Sequence, residues 1–243
     1  ARPDGGNSLT IKDMFGNHIS EVPKGNRKDI RNAVEAAHAG TSWAGMTGHG
    51  RAQVLYYIAE NLSARADEFA SRIEQMTNVS PSDAAKEVQA SIERIYSYAA
   101  WADKYDGHVH HTTQRNVTLA MPERVGVIGI VCPDVSPLLG FVSTVIPAIA
   151  MGNCVVVIPS ETSPLSATDF YQILETSDVP AGCINIVTGG KDELTKEMSK
   201  HDDIDGLWYF GSAEGSKEVE LLSAENLKRT WVNYGKYRNW YDR

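Results

Sequence analysis

Apolar residues follow two different spacings along this chain, and the change falls near Gly107. Before it, apolar side chains recur every three to four residues, which predicts amphipathic helices. After it, short unbroken apolar runs alternate with helical patterns, which is typical of strands buried on both faces of a parallel sheet. The pattern predicts an α/β protein: a Rossmann-like parallel sheet with helices on both faces, preceded by an N-terminal helical layer.

The helical layer, residues 1–106, contains residue types that mark helix boundaries. Asn26 and Ser80-Pro81 favour helix starts, and Gly40 favours a helix end. Residues 54–73 carry apolar side chains on one face and predict a single long helix, and Gly45–Gly50 before it predicts a loop. The layer also includes a predicted loop over residues 1–10 and a predicted hairpin over residues 11–23.

The sheet region, residues 124–227, repeats a strand-helix unit. Strands are predicted at 124–131, 155–159, 184–187 and 207–210, and helices at 136–151, 163–176, 192–201 and 213–224. Residues 107–123 predict a β-hairpin, and residues 228–243 form a strand-like aromatic tail. We expect a single domain over residues 1–243.

Charge, hydropathy and cysteine content exclude some classes of function. The formal charge of −8 argues against nucleic acid or an anionic membrane as a partner. No run approaches the roughly 20 apolar residues of a membrane span, and the first ten residues lack the apolar core of a signal peptide. The three cysteines lie in or beside apolar runs, so we expect a reducing compartment and a cytoplasmic protein.

A series of segments, in matching order and spacing, resembles the aldehyde dehydrogenase superfamily. The helix EAAHAGTSWAGMTGHGRAQVLYYIAENL matches at Trp43 and Arg51, and YSYAAWADKYDG matches the segment before the family's oligomerisation hairpin. The remaining matches are RVGVIGIVCP, the Gly152-Asn153 pair, PSETSP, INIVTGG and NLKR. The resemblance covers nearly the whole chain. It implies the family's fold, its NAD(P)-dependent oxidation of aldehydes to carboxylic acids, and its dimerisation through a hairpin and a strand near the chain end.

The turn after the first sheet strand departs from the family's pattern. The family's P-W-N-x-P turn supplies an Asn whose amide helps stabilise the oxyanion formed when a Cys attacks the aldehyde. Here the turn is PDVSP, with Asp134 in place of Trp and Val135 in place of Asn. Valine cannot donate a hydrogen bond, and a carboxylate beside a developing oxyanion is repulsive. We expect Asp134 to cap the following helix instead.

The cofactor motifs are partly retained. In the family's K-P-S-E turn, the Lys and Glu hold the ribose hydroxyls; here the turn is I-P-S-E, so Ser160 and Glu161 remain as cofactor-binding candidates. The family's G-S-T-x-x-G turn places a helix N-terminus under the pyrophosphate. Here it is GSAEGS, in which Gly211 and Ser212 match and Gly215 comes one place early. A solvated turn and a plain strand-to-helix turn are the alternative interpretations, and we expect no cofactor, with NAD as the weaker possibility.

The family's catalytic groups have no counterparts in this sequence. The Glu of its E-L-G-G-K motif activates the hydrolytic water, but Asn233 stands at that position here, and an amide cannot take a proton at neutral pH. The resemblance places the catalytic Cys in a separate downstream domain, which we expect this chain to lack. Cys132 has no base nearby in sequence, and Cys154 and Cys183 are typical core residues, so we expect no catalytic residue.

Two further clusters have structural explanations. His108, His110 and His111 are metal-ligand types, but an exposed hairpin strand explains them better, so we expect no metal site. The tail YGKYRNWYDR mixes aromatic and basic residues and could stack on nucleic-acid bases. The acidic charge of the chain favours an interface strand instead.

Together these features predict a pseudo-enzyme most like the degenerate second module of the sixteenth aldehyde dehydrogenase family. We expect a structural role in oligomerisation. The chain would self-associate, or bind an active aldehyde dehydrogenase module of the same polypeptide, through the hairpin and the C-terminal strand. The alternatives are a nucleotide-binding regulatory module and a fragment of an active NAD-dependent aldehyde dehydrogenase.

Overall fold

The computed structural model describes residues 5–242. Residues 1–4, at the start of the predicted N-terminal loop, and residue 243, at the end of the predicted C-terminal tail, lie outside the described residues. From β3 onward the helices and strands follow the order that the sequence predicts, with boundary shifts of a few residues, whereas the helical layer before β3 contains more elements than predicted. In chain order they are β1 (Ser8–Lys12), β2 (His18–Pro23), α1 (Arg27–Ala39), α2 (Thr41–Gly45), α3 (Gly48–Ala64), α4 (Ala66–Thr77), α5 (Pro81–Lys104), β3 (His108–His110), β4 (Thr118–Ala120), β5 (Val127–Val131), α6 (Pro137–Ala150), β6 (Cys154–Ile158), α7 (Leu165–Thr176), β7 (Ile184–Ile186), α8 (Lys191–Lys200), β8 (Gly206–Tyr209), α9 (Ala213–Ser223) and β9 (Arg229–Val232).

Five parallel strands form the central sheet in the order β7-β6-β5-β8-β9. The side chains of β5 and β6 are buried along their whole length, as their unalternated apolar runs predict. Helices α1 and α8 pack on one face of the sheet, and α6 packs on the other, with α5 and α7 against it. The predicted fold class is therefore confirmed.

Helix caps confirm the predicted starts of α1 and α5. The Asn26 side chain accepts hydrogen bonds from the Lys28 and Asp29 amides, and the Asp29 carboxylate accepts one from the Asn26 amide, which is a complete capping box. The Ser80 side chain caps α5, with Pro81 at the first helical position.

Three predictions for the helical layer are wrong. The expected long helix is two helices, because Arg65 leaves the helical conformation and bonds to Glu68 and Gln172. The expected loop Gly45–Gly50 is mostly helical, since α2 ends at Gly45 and α3 begins at Gly48. The first ten residues are not all loop, because β1 begins at Ser8 and pairs with β2.

The residues that carry the family resemblance hold the scaffold together. The Trp43 indole donates to the Ile149 carbonyl at 2.9 Å, and the Arg51 Nε donates to the Ala150 carbonyl at 2.9 Å, so both satisfy the carboxyl end of α6. Gly152 follows with φ of 84°, a conformation that favours glycine. The Asn153 carboxamide then accepts from the amides of residues 125 and 126, which ties the end of α6 to the start of β5.

The hairpin predicted over residues 107–123 is present as a separate two-stranded sheet, β3 with β4, and its role in oligomerisation stays a prediction. Its directly opposed residues Val109 and Leu119 are 76% and 56% exposed. Apolar side chains of this size at such exposure form an unpartnered surface.

Only part of the tail 228–243 is a strand. Arg229–Val232 forms β9 at the edge of the chain's own sheet, parallel to β8. The following residues turn back, and the buried Trp240 packs with Leu139 and Phe210. Arg94 fixes this return by donating to the carbonyls of residues 240 and 242 at 2.9 Å each. An interface role for the edge of β9 stays a prediction.

Candidate cofactor crevice

The carboxyl ends of β5, β6 and β8 open onto one edge of the sheet, where α/β folds of this kind bind ligands. The turns at this edge are residues 132–136, 159–164 and 210–212, and they contain the predicted site residues. The start of α8, after β7, borders the same space. These four segments form what we call the crevice.

Asp134 joins three of these segments. Its Oδ1 accepts from the Ser160 hydroxyl at 3.0 Å and from the Glu161 amide at 2.9 Å. The same oxygen lies 2.7 Å from Nζ of Lys191, the first residue of α8. The prediction that Asp134 caps α6 is wrong.

Glu87 of α5 caps α6 in its place. Its Oε1 accepts from the amides of Leu138 and Leu139 at 2.9 and 3.1 Å. The carboxyl group is buried, and burial raises its pKa while the two amide bonds act in the opposite direction. No sequence pattern predicts the contact between Glu87 and the start of α6, because a helix from another layer supplies the cap.

The Asp134–Lys191 ion pair is partly shielded from water. The side chain of Lys191 is 10% exposed and that of Asp134 is 47% exposed. Burial raises the pKa of Asp134. The positive charge and hydrogen bond of Lys191, together with the hydrogen bonds from residues 160 and 161, outweigh the effect of burial and hold this pKa below its ordinary value. The carboxylate is therefore ionised at neutral pH.

The other acidic candidate, Glu161, is also bonded within the chain. Its Oε2 accepts from the backbone amide of Lys191 at 2.9 Å, which caps the first turn of α8. The buried Ser160 hydroxyl, besides donating to Asp134, accepts from the Ser163 amide at 3.0 Å. Oε2 of Glu161 and the hydroxyl of Ser160 thus each have a partner in the chain.

The start of α9 is arranged around a tyrosine. The Ser212 hydroxyl caps α9 by accepting from the Gly215 amide at 2.9 Å, and the Ser212 amide donates to the Tyr209 hydroxyl at 3.2 Å. A Cβ at Gly211 or Gly215 would lie 2.4 or 2.0 Å from that hydroxyl oxygen. The two glycines therefore make room for the Tyr209 ring, which explains why the second stands one place early.

The positions of the family's catalytic groups hold scaffold residues. Val135 is 59% exposed and offers no donor. The Asn233 Oδ1 accepts from the Gly211 amide at 3.2 Å, which ties β9 to the start of α9. Cys132 is buried beside Thr144, and burial raises its pKa to about 12, so it stays a protonated thiol.

Part of the crevice region remains open as a groove between α8 and α9. Its volume is about 510 Å³, and its lining includes Ser212, Lys217 and Leu221. An ion pair between Lys196 and Glu218, with 3.1 Å between Nζ and Oε1, joins the two helices beside it.

Among residues 5–242, no His, Cys, Asp and Glu side chains form a group of three that could hold a metal ion. In that same range, no helix is long and apolar enough to cross a membrane.

Comparison with known proteins identifies the family. The model of the aldehyde dehydrogenase family matches residues 5–237. An aldehyde dehydrogenase of Agaricus bisporus is 35% identical over 226 residues, covering 90% of this chain and 45% of the relative. Retinaldehyde dehydrogenase 3 of Mus musculus is 32% identical over 224 residues, covering 89% of this chain and 44% of the relative.

Solved structures agree in fold. An aldehyde dehydrogenase of Brucella melitensis biovar abortus 2308 superimposes with a TM-score of 0.92 at 25% identity, covering 96% of this chain and 49% of that one. Betaine aldehyde dehydrogenase of Staphylococcus aureus in complex with NAD+ gives 0.92 at 24% identity, covering 96% of this chain and 47% of that one. The chain spans about half the length of the relatives it matches. By sequence and by fold, this chain belongs to the aldehyde dehydrogenase family.

Proposed function

We propose that this chain is a non-catalytic module of the aldehyde dehydrogenase family with a structural role in assembly. The observation that carries the proposal is the bonding of Asp134 to residues 160, 161 and 191. These contacts join the turns where the family would hold a cofactor. A ligand entering between them would compete with an ion pair whose lysine is largely shielded from water.

The residues of the crevice do not fit NAD. Oε2 of Glu161 already caps the first turn of α8, and the Ser212 amide donates to Tyr209, so a ribose or phosphate oxygen would have to share or displace these partners. The half-exposed carboxylate of Asp134 adds a negative charge where a pyrophosphate would bring more. Ile158 supplies no donor where the family has Lys.

The exposed hairpin and the edge of β9 support an assembly role. Hairpin β3–β4 presents apolar side chains on both strands, and β9 leaves one edge of the sheet unpaired within the described residues. Such edges accept a strand from another chain. The partner would be a second copy, or an active aldehyde dehydrogenase module of the same polypeptide as in the sixteenth family. The three free cysteines support a reducing location such as the cytoplasm.

Sedimentation of the purified chain, alone and mixed with an active family member, tests the assembly role. Replacing Leu119 by Lys should dissociate the assembly, because it puts a charge into the apolar face of the hairpin. Met14→Lys is the matched control, since Met14 is also exposed but lies in the turn between β1 and β2, outside the hairpin and the tail. A chain that sediments as a monomer under both conditions, or a Leu119→Lys variant that assembles normally, would refute the assembly role.

An assay of aldehyde oxidation with NAD and NADP tests the loss of catalysis. We expect no turnover, because Val135 and Asn233 supply neither an oxyanion donor nor a base and Cys132 remains protonated. Turnover by the purified chain would overturn this part of the proposal.

The groove between α8 and α9 favours one second candidate, a regulatory nucleotide site. It is open, and its lining sets Lys196 and Lys217 beside three acidic side chains, Asp192, Glu214 and Glu218. Because Lys196 pairs with Glu218, a phosphate would have to bind at Lys217. This candidate predicts saturable binding of a nucleotide that Lys217→Glu weakens and Leu119→Lys leaves unchanged. The structural role predicts the opposite sensitivity for assembly, so the two variants separate the candidates.

A further inference from the structure

We propose that Cys154 and Cys183 form a reversible disulfide between β6 and β7. The two residues lie opposite each other in neighbouring parallel strands, one step before the Val155–Ile184 pair. The Val155 amide donates to the Cys183 carbonyl at 2.8 Å, so the register holds at the cysteines. Neighbouring strands stand about 4.8 Å apart, which lies within the Cα separation of about 4.4–6.8 Å that a disulfide requires.

The two sulfur atoms share one environment under the end of α1. Both cysteines are buried, and the Cys154 thiol lies 3.5 Å from the Gly40 carbonyl oxygen. A Cβ on Gly40 would come 3.1 Å from that sulfur, so the glycine leaves the sulfur its space. Because α1 ends directly over the pair, an oxidant reaches it when this helix end opens.

The pair differs chemically from the third cysteine. A hydrogen bond from Cys183 outweighs burial and lowers the pKa of Cys154 to about 7, and the charges of Arg124 and His38 act in the same direction. Burial raises the pKa of Cys183, which therefore keeps its proton. One sulfur of the pair is thus a nucleophile at neutral pH and the other is positioned to resolve the product.

The reaction needs a two-electron oxidant, and a peroxide supplies it. The Cys154 thiolate attacks one peroxide oxygen; an S–O bond forms, the O–O bond breaks and hydroxide leaves. The Cys183 thiol gives its proton to that hydroxide, and its sulfur displaces the new hydroxyl group from Cys154 as a second hydroxide, which takes up the proton that Cys154 released on ionising. Two thiols and one hydrogen peroxide thus become one disulfide and two water molecules, and thiol exchange with a reduced dithiol reverses the step.

Peptide mapping of the folded chain after treatment with hydrogen peroxide tests the proposal. Trypsin leaves all three cysteines in one peptide, because no Lys or Arg lies between Arg124 and Lys191. Cleavage after glutamates separates a peptide ending at Glu161, which contains Cys132 and Cys154, from one starting at Thr176, which contains Cys183. We expect these two peptides to be joined with the loss of two hydrogen atoms, and dithiothreitol to separate them.

Three variants assign the bond. Cys132→Ser should still form it, whereas Cys154→Ser and Cys183→Ser should not. Free thiols in wild-type protein that stays folded by circular dichroism would overturn the proposal. So would a Cys132–Cys183 link, a disulfide between two chains, or oxidation that stops at added oxygen on Cys154. Fragmentation of the linked wild-type peptides also tells Cys154 from Cys132, so a variant that fails to fold does not leave the question open.

Discussion

A double-mutant cycle on Asp134 and Lys191 measures how strongly the crevice is held closed. Asp134→Ala removes the carboxylate that joins the turns, and Lys191→Met keeps the lysine's aliphatic stem while removing its charge. The double variant lacks the pair altogether. The difference between the summed single effects and the double effect is the coupling free energy of the pair.

The exposure of the two side chains sets the expected magnitude. Fully exposed pairs contribute about 0.2–1 kcal/mol, and breaking a buried pair costs about 3–5 kcal/mol. The Lys191 side chain is 10% exposed, that of Asp134 is 47% exposed, and the charged atoms are 2.7 Å apart. We therefore expect a coupling of about 1–2 kcal/mol. Asp134→Ala alone should cost about 2–3 kcal/mol, because it also removes the bonds to residues 160 and 161.

Urea unfolding followed by circular dichroism provides the free energies. Asp134→Asn is the control that keeps an acceptor oxygen for the turn while removing the charge. The pKa of Asp134 is lowered in the folded chain, so its contribution is complete above its ordinary value of 3.8 and is lost as the pH falls through the folded value. A coupling below about 0.3 kcal/mol at neutral pH, within the usual error of additivity, would refute the reasoning.

Three further predictions concern the scaffold. Glu87→Ala should destabilise the chain by about 2–4 kcal/mol in urea unfolding, because two buried amides lose a charged acceptor, and Glu87→Gln should cost less than half as much. Burial lowers the pKa of Lys228 from 10.5 to about 8, so between these two pH values the unfolded chain binds more protons than the folded chain. The free energy of unfolding should therefore rise with pH over this range, and Lys228→Met should flatten the rise. Gly215→Ala should cost about 1–3 kcal/mol in thermal melts because its Cβ meets the Tyr209 hydroxyl, whereas Gly45→Ala, which meets nothing within 4 Å, should be neutral; equal melting of the two alanine variants would contradict this packing.

The sequence predicted those parts of the fold that local chemistry decides. Asn26 and Ser80 carry their own capping groups, so the starts of α1 and α5 were visible in a few neighbouring residues. The unbroken apolar runs of β5 and β6 are visible in the sequence, and they indicate burial on both faces of the sheet. The break at Arg65 was not visible, because no glycine or proline marks it and its partner Gln172 belongs to α7.

The crevice was predicted in position but not in chemistry. The motif turns met at one sheet edge, as parallel topology requires. The role of Asp134 depends on Lys191, and the cap of α6 depends on Glu87, and both partners come from other elements of the fold. The sequence did contain a signal for the packing of Tyr209. Gly211 and Gly215, at the start of α9, indicate that a bulky group lies against them, but the sequence does not tell a protein side chain from a bound ligand.

Calorimetric titration of the purified chain with NAD tests the central claim most directly, that the family's fold persists here while the turns of its cofactor crevice bind one another and not NAD. Betaine aldehyde dehydrogenase of Staphylococcus aureus, whose structure was solved with NAD+, is the positive control. We predict no saturable heat of binding up to several millimolar NAD. We predict the same result for the folded Leu119→Lys variant, whose assembly surface is disrupted. Saturable binding tighter than about 1 mM, equivalent to about 4 kcal/mol, would contradict the account.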